Sequence, residues 1–306
     1  MNNSRFPARR PRRHVDGVLL LDKPLGISSN QALQKVRRLY NADKGGHTGT
    51  LDPLATGLLP ICLGEATKFS GDWLNADKRY RATVRLGVTT VTADAEGEVL
   101  QRRAVDTTPS AIEHALAAFT GEIEQIPPMY SALKRDGKPY YEYAREGIEL
   151  ERTPRRVHIH SLALVEILGV DSFIFDVACS KGTYVRTLAA DIGEHLGCGA
   201  HLSALRRTGL GRLDVADSHT FAALDTLTHD ELDRKLHAPD YLLLELPAVE
   251  LDPVNAVRIS FGQAVPWSGA RGRIRVYDRD KNFLGVCLGG DEGILQPQRL
   301  IAQSPH

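Results

Sequence analysis

The sequence predicts an α+β fold with a small β-barrel at its C-terminal end. Three observations carry this expectation. Strand and helix patterns interleave before residue 250 without the steady βαβ rhythm of a doubly wound sheet. Beyond that point, short strands alternate with Asp/Gly turns, the pattern of a small barrel. The 306 residues are 42% hydrophobic and 25% charged, globular values that exclude wholesale disorder. At roughly 150 residues per domain, this length suggests about two domains.

The elements follow in order. Residues 17–21 form an apolar run of strand size, and Asp22-Lys-Pro-Leu-Gly26 breaks it. Ser28 or Ser29 can cap a helix with Leu33, Val36 and Tyr40 on one face. Residues 45–57 are glycine-rich and read as a loop, and 79–88 alternate as a strand. Thr108-Pro109 starts a helix with Ile112, Leu116 and Phe119 inward and Gly121 as its stop. Residues 156–168 and 172–179 read as two strands, with Phe173, Phe175, Val177 and Cys179 sharing a face. Lys181-Gly182 leads into a helix carrying Leu188, Ile192 and Leu196, ended by Gly197. Helical pieces at 221–227 and 229–236 follow, then a leucine-rich segment at 242–247. Residues 273–277, 283–288 and 293–295 are the barrel strands. The plan is a basic, disordered tail over 1–14, a main domain over 15–249 and a barrel domain over 250–306.

Charge and cysteine usage bound the function. Lys+Arg 38 balances Asp+Glu 38, which taken alone argues against a polyanionic partner. The balance is uneven along the chain. Arg5, Arg9, Arg10, Arg12 and Arg13 crowd the tail, while residues 214–252 hold ten acids against Arg234 and Lys235. The remainder carries a modest positive excess, which permits a nucleic-acid partner. The tail reads first as a solvated terminus, and second as an arm adding phosphate contacts. Cys62, Cys179, Cys198 and Cys287 lie far apart with no metal-ligand spacing, which favours a reducing, cytoplasmic setting and no metal site. No apolar run approaches the ~20 residues of a membrane span.

Gly46-His-Thr-Gly-Thr-Leu-Asp-Pro-Leu-Ala-Thr-Gly57 is the most unusual segment. It is neither a P-loop nor GxGxxG. Its glycines permit close backbone approach, and Pro53 biases Asp52 towards an extended conformation. Composition alone makes this a turn with a capping aspartate. The stretch closely resembles the catalytic motif of the TruB family of tRNA pseudouridine synthases. So do other blocks in order: Asp22-Lys-Pro-Leu-Gly-Ile-Ser-Ser29, Lys78-Arg-Tyr-Arg81, Ile126-Pro-Pro-Met-Tyr-Ser-Ala-Leu-Lys134, Cys179-Ser-Lys-Gly-Thr-Tyr-Val-Arg-Thr187, Gly197-Cys-Gly-Ala-His201 and Leu205-Arg-Arg207. The resemblance runs from about residue 16 to 213. The C-terminal piece resembles a short PUA domain. Ser28-Ser29 stands where the family usually has Thr-Ser, a small change at a helix cap.

The resemblance implies a pseudouridine synthase domain with a mixed, mainly antiparallel sheet flanked by helices. It implies isomerisation of the uridine at position 55 of the TΨC loop of tRNA to pseudouridine, without a cofactor. An insert over about 122–156 would grip the RNA. Asp52 would be the catalytic carboxylate, attacking C1′ or C6 or acting as the base that starts glycal formation. Arg186 would bind it in bidentate fashion and oppose the pKa rise of a dry pocket. Tyr80 would stack on the flipped base, its hydroxyl a candidate to take the C5 proton. Tyr184 and Leu205 would complete the pocket, His47 would fill the space the base leaves, and Lys23 would support the catalytic loop. Without the resemblance, Tyr80 is a cross-strand aromatic, Tyr184 and Leu205 are core, His47 is a loop histidine and Lys23 is a solvated lysine.

RNA binding would be phosphate-driven. Lys134, Arg135, Lys138, Arg152, Arg155 and Arg156 cluster with Tyr130, Tyr140, Tyr141 and Tyr143, diluted by nearby glutamates. Arg271, Arg273 and Arg275 alternate on one strand and would face the acceptor side of the tRNA. The chain is expected to act as a monomer without a protein partner. Two other readings stay open: a tRNA-folding chaperone, and a guide-RNA-dependent relative within a ribonucleoprotein.

Overall fold

The computed structural model describes residues 11–131 and 133–302, and of Tyr141 only the backbone. The first strand, β1 (Gly17–Lys23), leads to helix α1 (Ser29–Leu39). Ser28 is its N-cap and forms a reciprocal capping box with Gln31. Strands β2 (Gly45–His47) and β3 (Ala55–Leu63) follow, then a run of 3₁₀ turns over Gly64–Asn75 and strand β4 (Lys78–Leu86). A small hairpin, β5 (Val88–Thr90) and β6 (Val99–Arg102), precedes α2 (Pro109–Ala118), which Thr108 caps. Next come β7 (Gly121–Gln125), the two-residue strands β8 (Lys134–Arg135) and β9 (Lys138–Pro139), and α3 (Tyr140–Arg145). The long strands β10 (Arg155–Ile167) and β11 (Ser172–Cys179) lead to α4 (Val185–His195) and β12 (Ala200–Leu210). After β13 (Leu213–Asp214) the acidic stretch holds the short helices α5 (Phe221–Leu224) and α6 (His229–Asp233).

The main sheet runs β1-β3-β12-β4-β11-β10-β7, with β2 on β3 and β13 on β12. It is antiparallel except where β12 runs parallel to β3. One end of the sheet is buried on both faces. Leu19 and Leu21 of β1 join the main core, while Val18 and Leu20 join a second cluster with Leu58, Cys62 and Trp73. That double burial explains the unbroken apolar run 17–21. The other end is one-sided: in β11, Phe173, Phe175, Val177 and Cys179 are buried and alternate with more exposed residues. Helices α1, α2 and α4 cover the core face through Val36, Leu116 and Leu188, among others.

Two sequence expectations change. Residues 45–57 are not simply a loop, because β2 and the start of β3 flank a short tip. Strand β12 was not legible: bulges at Leu202/Ala204 and Arg207/Gly209 break its alternation, and it buries an arginine. Residues 1–10 of the expected tail lie outside the described residues. Residues 11–14 are part of the fold: Arg12 Nη1 donates to Ala42 O at 2.9 Å and Arg13 pairs with Asp233.

The C-terminal part contains β14 (Ala248–Glu250), α7 (Pro253–Ser260), β15 (Val265–Pro266), β16 (Gly272–Tyr277), β17 (Phe283–Gly289) and β18 (Ile294–Leu300). Its sheet runs β14-β16-β17-β18-β15 and leaves β14 and β15 as two ends, so the small barrel takes the form of a curled half-barrel. Phe283 packs on Phe69 of the main body with ring centroids 5.6 Å apart. Arg273 pairs with Asp72 at 2.8 Å and Arg275 with Asp240 at 2.9 Å. Arg273 and Arg275 therefore tie the half-barrel to the body, while Arg271 is exposed and pairs with Asp291 of the half-barrel itself.

Candidate functional site

Strands β2 and β3 are antiparallel neighbours, with His47 opposite Ile61. The residues between them form a tip that carries Asp52. The tip is clamped from both sides. Ser29 Oγ donates to Leu51 O at 3.1 Å and accepts from Leu51 N at 2.7 Å. Gly26 N donates to Pro53 O at 2.9 Å, so the Asp-Lys-Pro turn lies against the tip. Ala55 N donates to Asp52 O at 3.0 Å and closes the turn after the Asp-Pro pair. Behind the tip passes β12. Gly57 has φ +99°, and a Cβ there would lie 2.3 Å from the Arg207 carbonyl oxygen. Only glycine permits that approach.

Asp52 faces Arg186 from the first turn of α4, with Arg186 Nη2 3.2 Å from Asp52 Oδ2. The guanidinium is not given to Asp52 alone. Its Nη1 donates to Asp94 Oδ2 at 3.3 Å, and Nη2 also donates to the Tyr130 carbonyl. Arg186 and Asp94 are deeply buried, at 8% and 3% side-chain exposure, while Asp52 keeps 43% toward the cleft. The expected bidentate Arg186–Asp52 pair is thus a single contact, because the second amino group goes to Asp94. Asp94 is itself fixed by Thr92 Oγ1 and by Glu96 N, which donates to Asp94 Oδ1 at 3.1 Å.

The surroundings set the charge of Asp52. Protein enclosing the tip pushes its carboxyl above the ordinary range. Arg186 pulls it back, Asp94 pushes it further up, and Lys23 opposes. Glu96 also lies above its usual range, through burial and then the charges of Asp94 and Asp52.

Two cavities meet at Asp52 and Arg186. The inner one, about 200 Å³, is walled by Tyr80, Tyr184, Val185, Leu202 and Leu205. The outer cleft, about 700 Å³, is lined by Ser28, His47, Asp94, Glu96 and Tyr130 among others. Tyr80 stands on β4 directly opposite Val177 and Arg207. Tyr184 caps α4, and Gln125 of β7 holds its peptide at both ends: Tyr184 N donates to Gln125 Oε1 at 3.0 Å and Gln125 Nε2 to Tyr184 O at 3.3 Å. Leu205 lies in β12 between Ala55 and Ala82. The small inner pocket has an aromatic wall, an apolar wall and a carboxylate at its rim, which suits one planar ring.

Three family models match consecutive parts of the chain, together residues 37–301. The model described as the TruB family pseudouridylate synthase N-terminal domain covers residues 37–185. A tRNA pseudouridylate synthase B C-terminal domain covers 186–246, and a pseudouridine synthase II TruB C-terminal model covers 247–301. A tRNA pseudouridine synthase B of Burkholderia mallei (strain ATCC 23344) is 58% identical over 301 residues, 96% of each chain. The chain belongs to the TruB family. It is therefore an enzyme, a pseudouridine synthase. The same-named protein of Aromatoleum aromaticum is 56% identical over 96% of this chain and 95% of its own. Among solved structures, a Cbf5-Nop10-Gar1 complex aligns with TM-score 0.68 and 27% identity, over 90% of this chain and 79% of that one. An H/ACA RNP bound to a substrate RNA shares the fold at TM-score 0.68 and 22% identity, over 94% and 85%.

The sequence-predicted residues are distributed in a TruB-family site as follows. Asp52, Tyr80, Tyr184, Arg186 and Leu205 converge on the inner pocket. His47 lines the outer cleft, where its Nδ1 accepts from Gly49 N at 3.4 Å. Burial and Arg207 lower its pKa, which keeps the ring neutral. Lys23 lines neither cavity. It is fully buried under the turn, donating to Pro24 O at 3.0 Å and Ile27 O at 2.6 Å, and burial lowers its pKa to about 8. It ties the turn together from beneath the loop that carries Asp52. Asp94, Glu96, Gln125 and Arg207 were missed. Asp94 and Glu96 sit in a short irregular stretch with Ala93 at φ +60°, where no periodicity marks them.

The insert is less exposed in charge than its sequence suggests. Lys138 pairs with Glu146 at 2.6 Å and lies 4.6 Å over the Tyr143 ring; Arg152 pairs with Glu149 and Arg156 with Glu122. Lys134, Arg135 and Arg155 are exposed and make no ion pair among the described residues. Tyr141's side chain lies outside the description.

Proposed function

We propose that this enzyme converts the uridine at position 55 of the tRNA TΨC loop to pseudouridine, with Asp52 as the catalytic carboxylate. One observation carries the reading: a carboxylate paired with a buried arginine at the rim of a pocket that fits a single ring. The target base leaves its stack, at a cost of a few kcal/mol, and enters the pocket between Tyr80, Tyr184 and Leu205. The C1′–N1 bond breaks, the uracil turns, and C5 bonds to C1′. C5 then loses its proton and N1 gains one, so the reaction is an isomerisation.

An ionised Asp52 serves each route: attack on C1′, attack on C6, or removal of the C2′ proton to begin a glycal. Arg186 keeps that carboxylate ionised and aimed, while Asp94 holds Arg186 in place. His47, neutral at the mouth of the outer cleft, is placed to fill the gap in the RNA stack. Lys134, Arg135 and Arg155 supply phosphate contacts from the insert. The half-barrel adds a second RNA-facing body, and the domain plan of 15–249 and 250–306 places the division just after β14 starts. The names of the Burkholderia and Aromatoleum relatives support tRNA as substrate.

The purified chain should form pseudouridine at position 55 of unmodified tRNA, and in a T-arm hairpin, without cofactor, guide RNA or protein partner. Modification mapped elsewhere would overturn the position. Activity appearing only with a guide RNA would favour the ribonucleoprotein reading, motivated by the fold shared with an H/ACA RNP. A chaperone role would show as tRNA refolding by the Asp52→Asn chain.

A further inference from the structure

Gln125 ends β7 and stands opposite Arg155, which begins β10. The insert leaves and rejoins the main sheet at this pair. Gln125 is 2% exposed, too deep for an amide side chain without partners. Its amide meets a single residue: Tyr184 N donates to Oε1 at 3.0 Å, and Nε2 donates to Tyr184 O at 3.3 Å. This two-way exchange is the pattern of a hydrogen-bonded pair in an antiparallel ladder, made here by a side chain.

The place it holds is the start of α4. Tyr184 is the N-cap, and its side chain makes no cap bond, so the helix begins without the usual fixing. Tyr184, Val185 and Arg186 together form one wall of the inner pocket. A cavity of about 550 Å³ lies between the insert and α4, lined by Ile126, Met129, Ile148, Thr187 and Ala190. Close packing therefore does not set the place of this turn on that side. The insert returns to the same turn by polar contact: Arg186 Nη2 donates to Tyr130 O, and the buried Ser131 lines both cavities at Asp52.

We infer that Gln125 is a positioning residue for the reaction: it fixes the first turn of α4 against the base of the insert, and so sets where Tyr184 and Arg186 meet the flipped base and Asp52. An apolar residue of the same length would fill the space and leave Tyr184 N–H unanswered. The turn would then settle elsewhere, and Arg186 would lose its 3.2 Å contact with Asp52. The inference rests on the proposed isomerisation at this site.

The test uses the full chain with a T-arm hairpin, following single-turnover rate and RNA affinity across pH. Gln125→Met should slow turnover about 30-fold, inside the roughly 100-fold that a misplacement of about 1 Å can cost, with RNA affinity nearly unchanged. Arg186 holds the Asp52 pKa down, so its displacement should also move the acid limb of the rate profile upward. Loss of stability alone would not move that limb. Gln125→Glu gives a second reading that does not require Gln125→Met to fold. The neutral acid keeps both bonds to Tyr184, whereas the carboxylate keeps only the one from Tyr184 N. Burial favours the neutral form, and Arg155 and Arg186 favour the ionised one. The rate of Gln125→Glu relative to wild type at the same pH should be highest at the acid end and fall severalfold as pH rises. An unmoved acid limb in a folded Gln125→Met, or a Gln125→Glu ratio that stays flat or rises with pH, overturns the inference alone. A wild-type chain without turnover would remove the proposed function beneath it as well.

Discussion

Asp52 is asked to be ionised where its surroundings favour the neutral acid. Its pKa is raised by burial despite Arg186, so the folded state binds this proton more tightly than the unfolded chain does. Ionisation therefore costs stability as pH rises through that value. At neutral pH, Asp52→Asn should melt at the same temperature as wild type or higher, which a thermal melt checks. The same shift places the acid limb of the pH–rate profile above the ordinary carboxylate range. Arg186→Gln removes the largest opposing influence and should move that limb further up. It also strands the buried Asp94, and breaking such a pair costs about 3–5 kcal/mol, measurable by urea unfolding. Asp52 and Arg186 were legible because they sit in dense motifs. Asp94 was not, since a lone acid in an irregular loop has no local signal. Its role exists only where the hairpin beyond β4 meets α4.

At the scale of elements, the site is a meeting of four chain segments: the β2–β3 tip, β4, the start of α4 and β12. The parallel β3–β12 pairing brings Gly57 against Arg207. Gly57→Ala should destabilise the chain by on the order of 1–3 kcal/mol from backbone strain alone, with the 2.3 Å clash adding to it. Activity should fall more steeply than stability, which a comparison of turnover and unfolding at one temperature would show. Strands such as β11 were readable because one face is buried and period two survives. Helices α1, α2 and α4 were readable from caps and stripes. Strand β12 was hidden by its bulges and by Arg206 and Arg207, whose place in a sheet depends on distant neighbours. For β3, only its first residues fell within the stretch read as a loop, and the apolar run that follows Gly57 was given no element.

Across the whole molecule, the zero net charge conceals a local arrangement. Part of the acidic stretch is consumed within the fold, where Asp233 meets Arg13 and Asp225 meets Lys35 at 3.0 Å. Other pairs hold the half-barrel to the body around Phe69, Phe283 and Leu243. Phe283→Ala should cost about 3–5 kcal/mol, read by denaturant unfolding, because it opens that shared cluster. tRNA affinity should fall with salt, and removing residues 1–10 should flatten the slope if the tail arginines meet phosphate. No helix among the described residues is long and apolar enough to cross a membrane. The fold class and most of the pocket could be read from sequence, whereas the seam between body and half-barrel could not, because Arg273 and Arg275 find their acids far away in the chain. The role of Asp52 is decided by single-turnover pseudouridine formation in a T-arm hairpin by wild type and Asp52→Asn, with RNA affinity measured beside it. Asp52→Asn should give no detectable product at nearly unchanged affinity; wild-type turnover by that variant would rule Asp52 out as the catalytic carboxylate.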